Sequence, residues 1–516
     1  MEQKWIRISV TGLILLFIGS IFWVNFHSAL WYDMDMALNA REAKLMWEFK
    51  SLFPEGWVFG NQYQIVDTVN VAALFYGLVH QSTLAMSLSS SLGTLLILAA
   101  FAWCLFPFVG KRGLSIGMLC LVGGTIFGYS AASYTKGLQV LYTMGAYYGW
   151  YLIVLLLTVG AWLRMREGMK VHGIAWILLL VLNFGIGMNS LREALVLGTP
   201  LLLTSAALII QGKKQKRPFL FASLVLVAEL VGYLFMKSLN VPTQANVMDV
   251  YPDFRPISVF YNTSYAIKDL LRVSGIALYR DGAQFIPLSI CAVLIAMTIV
   301  AAIIRIIKNK DFRSLSVSIL FGTISIICVF AAGAFMIRTR AIYYFVYWLL
   351  AALSVAYLED TTRKSFIVPG IIAISLINFG YQFPVNFIEW SRYGDEMKSV
   401  TESLVADGYT TLYHDDCAIF AAASKDRIIA APVRLDFSSE DTVPLAVFRY
   451  NKYLPDYEDL CFKKSVVCLS DYSAPLTGAL NEEQQASFDS HLIPIRQLRF
   501  GDRTIDLFRP EGDASF

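Results

Sequence analysis

Apolar residues in this chain come in long, nearly unbroken runs, without the alternating or three-and-four spacing of half-buried soluble elements. Eleven runs match the roughly 20 residues a helix needs to cross a bilayer. They lie near residues 8–24, 84–109, 114–130, 147–163, 172–189, 194–211, 217–236, 284–306, 314–335, 341–358 and 365–382. After Pro384 the pattern changes. Short β-like runs appear at 410–413, 427–431, 465–469, 495–500 and 504–508, and the last two flank Gly501–Asp502, a hairpin signal. Helical patches lie near 392–406 and 482–490. The pattern predicts an α-helical polytopic membrane protein of about eleven transmembrane helices over residues 1–384, followed by a small α/β domain over 385–516.

Composition agrees. Of the 516 residues, 56% are hydrophobic and 16% charged, against roughly 25% charged in an ordinary soluble protein. Such a chain cannot supply the charged skin of a soluble fold this long. A net charge of +3 argues against a nucleic-acid partner. The positions of the charges matter more. Basic clips fall at every second connection: Lys4 and Arg7; Lys111 and Arg112; Arg164, Arg166 and Lys170; Lys213, Lys214, Lys216 and Arg217; Arg305, Lys308, Lys310 and Arg313; Arg363 and Lys364. Cytoplasmic loops carry such an excess. The reading is therefore a multi-pass plasma (inner) membrane protein with its N-terminus cytoplasmic. Segments 25–83 and 237–283 and the tail domain 385–516 then face outward. The first run lacks a small-residue cleavage site and reads as an anchor. The cytoplasmic side carries no phosphate-binding loop, so any chemistry belongs outside, close to the membrane.

Cys104, Cys120, Cys291 and Cys328 sit in apolar runs and read as packing residues. Cys417, Cys461 and Cys468 lie in the tail, with room for one disulfide and one thiol left over. The five histidines are scattered, with no zinc spacing.

The first external segment reads WYDMDMALNAREAKLMWEFK over 31–50. Asp33 and Asp35 stand just beyond the first run, and an interfacial helix follows them. Either aspartate fits an N-cap; either also fits a general base held at the membrane surface. Asp67 precedes the second long run and reads as a second acidic group, a ligand for a divalent metal, or a helix cap. Arg192, at the outer end of the fifth run, and Arg338 and Arg340, at the outer end of the ninth, break the charge rule for short external loops. A guanidinium suits a phosphate, a lipid headgroup or, for Arg192, a pairing with Glu193. Segment 237–283 mixes charges with Tyr251, Phe254, Phe260 and Tyr261, as a lid or sugar-stacking surface would. His414-Asp415-Asp416 reads as a polar turn.

The order of one helix, an acidic motif opening an interfacial helix, a second interfacial segment, further helices and a C-terminal external domain resembles the GT-C superfamily of membrane glycosyltransferases. More closely, Asp35-Met36-Ala37, Ala43-Lys44, Trp57 and Gln62 resemble the "SDMA…AK…W…E" opening of a family of uncharacterised multi-pass bacterial membrane proteins. Gly408–Ile429, GYTTLYHDDCAIFAAASKDRII, resembles that family's "GYATFWNANVLTELSNGKI" segment. Gln62 replaces a glutamate of the pattern, and His414-Asp415-Asp416 replaces its Trp-Asn-Ala. The resemblance implies transfer of a sugar from a polyprenyl-phosphate donor, among membrane lipids, to an envelope acceptor. Asp35 would be the base with Asp33 second, and Arg192, Arg338 and Arg340 would hold the phosphate. The alternatives are a transporter or flippase of lipid-linked saccharides and a surface-polysaccharide polymerase or ligase. A transporter calls for charged or broken helices at mid-membrane and inverted repeats. Neither stands out in the sequence, where Gly185 and Gly187 are only weak breaks.

Overall fold

The computed structural model describes residues 2–27, 34–54, 57, 59, 63–124, 148–211, 216–241, 256–335, 341–362, 366–384, 387–388, 390–409, 411–413, 417–431, 433–435, 445–447, 465–470, 481–500 and 503–510. The third apolar run leaves these residues after Gly124.

The apolar runs are helices because an unbroken apolar stretch can hide its backbone polar groups only in internal hydrogen bonds. The helices that matter below are α1 (Glu2–His27), α2 (Met34–Phe49), α3 (Thr68–Val79), α4 (Ser82–Leu105), α5 (Lys111–Leu119), α6 (Gly149–Arg166), α7 (Gly173–Asn189), α8 (Thr199–Ile210) and α9 (Lys216–Ser238). They continue with α10 (Pro256–Ser274), α11 (Ile286–Asn309), α12 (Ser314–Phe335), α13 (Val346–Thr362) and α14 (Ile367–Pro384). By length and composition, eight described helices can cross a membrane: Trp5–His27, Ser82–Leu105, Gly149–Arg166, Lys216–Ser238, Ala283–Asn309, Ser314–Phe335, Ala341–Thr362 and Ile367–Pro384. The fifth and sixth runs form shorter apolar helices, Gly173–Asn189 and Ala194–Ile210. The second of these opens with a π-helical turn, Ala194–Gly198.

Basic connections gather at one end of the bundle. Arg166 donates to the Phe312 carbonyl and to Ser314 Oγ, while Arg112 pairs with Glu359 at 2.6 Å. Gly110 N–H reaches Asp360, and Arg305 reaches the Thr361 carbonyl. The helix α4 spans about 36 Å at 1.5 Å per residue. Its Leu105 end lies near these clips, so Ser82 lies at the opposite end.

Segment 237–283 differs from the simple loop its mixed charges predict. Residues 256–274 form α10, which packs on α12 and accepts the Trp348 indole N–H at the Val273 carbonyl. The reason lies in the spacing: Ala266, Asp269, Leu270 and Val273 share one helical face, and Ala266, Asp269 and Val273 are buried. Asp249, Tyr251, Asp253, Phe254 and Arg255 lie outside the described residues.

Beyond α14 come α15 (Trp390–Ala406), β1 (Thr411–Tyr413), α16 (Cys417–Ala423), β2 (Ile429–Ala431), β3 (Val433–Leu435), β4 (Leu445–Val447), β5 (Ser465–Ser470), α17 (Glu482–His491), β6 (Leu492–Phe500) and β7 (Arg503–Pro510). Each of the five β-like runs falls in a strand of one sheet, ordered β2-β1-β5-β7-β6. β1 lies parallel to β2 and β5, and β6 and β7 pair antiparallel. The pair β3–β4 and the helix α16 have no counterpart in the sequence reading. Met397, Val400, Leu404, Leu412, Phe420, Ile428 and Leu507 close a core between sheet and helices. Cys461 and the turn at His414-Asp415-Asp416 lie outside the described residues.

Candidate functional site

The end of the bundle opposite the basic clips gathers the polar side chains. Asn25, near the C-terminal end of α1, donates to Ser91 Oγ at 3.0 Å, and Ser87 donates back to the Asn25 carbonyl. On the next element, Asp67 caps α3: its carboxylate accepts the Thr68 N–H. The capping reading of Asp67 therefore holds, and it does not exhaust the residue, because Asp67 is only 2% exposed. Burial pushes its carboxyl well above the ordinary value; the Thr68 and Val69 N–H groups and the Arg192 charge pull it partway down.

Asn189 brings Arg192 to Asp67. As the last residue of α7, its Oδ1 accepts the N–H groups of Ile65 (2.7 Å) and Val66 (3.2 Å), and its Nδ2 donates to the Val66 carbonyl at 3.1 Å. Its own carbonyl accepts the Tyr63 N–H. One buried amide thus fastens the strip before Asp67 to the chain that turns into Arg192. That guanidinium lies among three tyrosines, with its carbon 4.7 Å from the ring centre of Tyr148, 5.8 Å from Tyr151 and 4.2 Å from Tyr343. Such cation–π contacts cover the faces of the planar cation and fix its position. Arg338 and Arg340 lie outside the described residues, so Arg192 is the arginine of the three that the structure places.

The helix α2 packs on α3 and α4 in the same region. It begins at Met34, so Asp35 lies in its first turn, one residue inside the helix instead of ahead of it. There the partial positive charge of the helix N-terminus still favours a carboxylate. Asp33 lies outside the described residues. Two turns on from Asp35, Glu42 is 4% exposed and accepts the Trp57 indole N–H at 3.1 Å. Its other oxygen, Oε1, meets no donor among the described residues. Burial raises the Glu42 carboxyl to about 8, with the Trp57 bond lowering it and nearby Asp67 raising it. Sequence reading passed over Glu42 because α2 carries charges on most turns and looks like a solvated face. The signal was Trp57, fifteen residues on, whose indole needs an acceptor when buried.

The tail reaches this region as well. α16 packs on α2, and Asp426 accepts Ser82 N–H at 3.1 Å and Ser82 O–H at 2.9 Å at the start of α4. Helix α2 and the stretch from α16 to Asp426 are therefore neighbours in the fold.

Behind Arg192 lie two further carboxyls. Glu193 is fully buried, and neither of its oxygens has a hydrogen-bond partner among the described residues. Glu229 is fully buried well inside the apolar helix α9. The sequence reading did not single out this acid within an apolar run. The signal was a lone glutamate in LFASLVLVAELVGYLFM. Among the described residues no group of three or more His, Cys, Asp or Glu is placed to hold a metal ion. Comparison with protein-family models and with curated proteins finds no match to this chain.

Proposed function

We propose that the protein is a membrane glycosyltransferase of GT-C-like layout that moves a sugar from a polyprenyl-phosphate donor to an extracytoplasmic acceptor in the cell envelope. In this reading residues 1–384 form a transmembrane domain of about eleven spans, with the N-terminus in the cytoplasm, and residues 385–516 form an external α/β domain resting on α2. The observation that carries the reading is the Asn189 clip, which fastens the strip before the buried carboxyl Asp67 to the turn that carries Arg192, near α2, whose first turn holds Asp35. This is an arrangement of acid, base and phosphate-sized cation where a lipid-borne donor and a water-borne acceptor can meet.

The chemistry follows from the parts. Asp35 takes the proton from the acceptor hydroxyl; the oxygen attacks the sugar's anomeric carbon; the bond from that carbon to the phosphate oxygen breaks. The leaving polyprenyl phosphate gains negative charge at Arg192, a fixed cation that needs no reorganisation. Glu42, raised to about 8 by burial, is mostly protonated at neutral pH and adds little negative charge beside Asp67. Attack from the side opposite the phosphate inverts the anomeric centre.

The test is transfer by the purified chain in lipid nanodiscs, supplied with a panel of polyprenyl-phosphate sugars and assayed by mass spectrometry of the acceptor. Release of polyprenyl phosphate with sugar transfer is expected. R192K, which keeps the charge but loses the planar fork, should cut the rate at least about tenfold, because each 1.4 kcal/mol of lost transition-state binding is a factor of ten. Equal rates for R192K and the parent would remove Arg192 from the mechanism.

One observation favours a second reading. A buried glutamate inside a membrane helix is what an ion-coupled transporter or flippase of lipid-linked saccharides would carry. Flipping of a fluorescent lipid-linked sugar in proteoliposomes, without transfer, would select that reading.

A further inference from the structure

Glu193 and Glu229 meet where α7, α9 and the π-helical turn 194–198 converge. Both are 0% exposed. Glu193 offers two carboxyl oxygens without a partner among the described residues. The Glu229 carboxyl lies against the Gly198 backbone and makes no hydrogen bond of normal geometry to a described residue. The surrounding backbone makes room for this acid. A Cβ at Gly198 would overlap the Glu229 carboxyl, and one at Gly187 would overlap the Glu229 backbone. On the same helix pair, a Cβ at Gly232 would overlap the Phe184 carbonyl. Close approach through small residues is how membrane helices pack. Here it seals the two acids in. The π-helical turn, a form common at functional sites, starts at the residue after Glu193.

The charges do not balance. The elements packed on α9 are α6, α7, α8 and the π-helical turn. Of these, α7, α8 and the turn carry no ionisable side chain, and α6 contributes Tyr151, with Arg164 and Arg166 at its far end. On α12, which packs on the turn, the ionisable group is Cys328. Arg192 is the cation that acts on Glu193, and it acts on Asp67 too. Two ionised carboxylates against this one shared guanidinium leave at least one negative charge uncompensated in a dry interior, at a cost of several kcal/mol. Counting the two glutamates against Arg192 alone, one monovalent cation restores the balance and a divalent ion would overshoot it.

We propose that Glu193 and Glu229 form a buried site for one monovalent cation, a proton or a sodium ion, held between the two carboxyls. If sodium enters, the proton leaves to solvent, one for one.

The site is tested by infrared spectroscopy of the full chain in nanodiscs at neutral pH in choline chloride, as the difference between the wild type and E229Q or E193Q. The wild type should show a carboxylic-acid carbonyl band, sensitive to deuterium, that E229Q lacks, because the carboxylate left in E229Q is Glu193, on which Arg192 acts. In E193Q the lone Glu229 carboxyl should no longer respond to sodium. Adding sodium chloride then separates the sources. Loss of the band, with one proton released per chain and radioactive sodium retained, assigns a sodium site. A band that survives sodium and disappears only at alkaline pH assigns a proton site. Thermal unfolding gives a second readout. The folded pair holds a proton that the unfolded carboxyls have lost, so wild-type stability falls with rising pH more steeply than that of E229Q, which keeps only the slope of groups outside the pair such as Glu42. If E229Q fails to fold, E193Q and the wild-type pH and sodium responses decide. The proposal is overturned if the wild type shows no such band and retains no sodium, or if both variants bind and respond as it does. No arm requires transfer activity, so failure of the proposed function leaves this result intact.

Discussion

Replacing Asn189 by alanine should unfasten the strip before Asp67 while leaving the bundle folded. The side chain makes three hydrogen bonds to that strip: from Ile65 N–H at 2.7 Å, from Val66 N–H at 3.2 Å and to the Val66 carbonyl at 3.1 Å. Each is worth about 1 kcal/mol net, so alanine removes about 3 kcal/mol of local closure. The bond from Tyr63 N–H to the Asn189 carbonyl is backbone and survives. At 1.4 kcal/mol per tenfold, the open strip becomes roughly a hundred times more populated. Hydrogen exchange in nanodiscs, followed by mass spectrometry of peptides covering 63–70, should show that loss of protection, with helices α4 and α6 unchanged. Transfer activity should fall with it, since Asp67 and Arg192 are no longer held together. Unchanged exchange at 65–66 would refute the reasoning. So would a loss of protection spread evenly over the molecule, which would mean that Asn189 supports the fold at large.

Three further outcomes follow. Asp35→Asn should insert and fold, because an amide is tolerated in the first helical turn, yet lose about 10²–10⁴-fold in transfer rate; near-parental transfer by this variant would end its role as base. Glu42→Gln should flatten the pH dependence of thermal stability. A carboxyl raised from 4.5 to about 8 in the fold contributes stability that is full below about 4.5 and lost as pH rises through about 8, and glutamine removes that slope. Asp426→Ala breaks both bonds to Ser82, and limited proteolysis should then cut the tail beyond residue 384 faster without changing the bundle's fragments.

Legibility followed the range of the interaction. Helices and strands came out of local pattern: apolar length for the bundle, and alternation with a Gly-Asp turn for β6 and β7. A capping aspartate at 67 was legible for the same reason, since the cap is made to the next residue. Asn189 was not, because its partners lie 123 and 124 residues away. Neither was Asp426, whose partner Ser82 is 344 residues away. α10 was read as part of a mixed-charge, aromatic loop, and its packing on α12 shows that Ala266, Asp269 and Val273 form a buried helical face. Glu229 hid in plain view: one acid does not interrupt an apolar run, so hydropathy alone passes over it. Arg192 stood out because it breaks the charge rule, but Tyr148, Tyr151 and Tyr343 around it are far away in sequence.

The most direct test of the central claim is a cryo-electron microscopy structure in nanodiscs with a polyprenyl phosphate bound. The account predicts the phosphate within hydrogen-bond reach of Arg192, with the Asp35 carboxylate facing the same cavity and the isoprenoid tail leaving between helices into lipid. A phosphate bound at the end of the bundle that carries Arg112 and Arg166, or one that leaves Arg192 untouched, would contradict it.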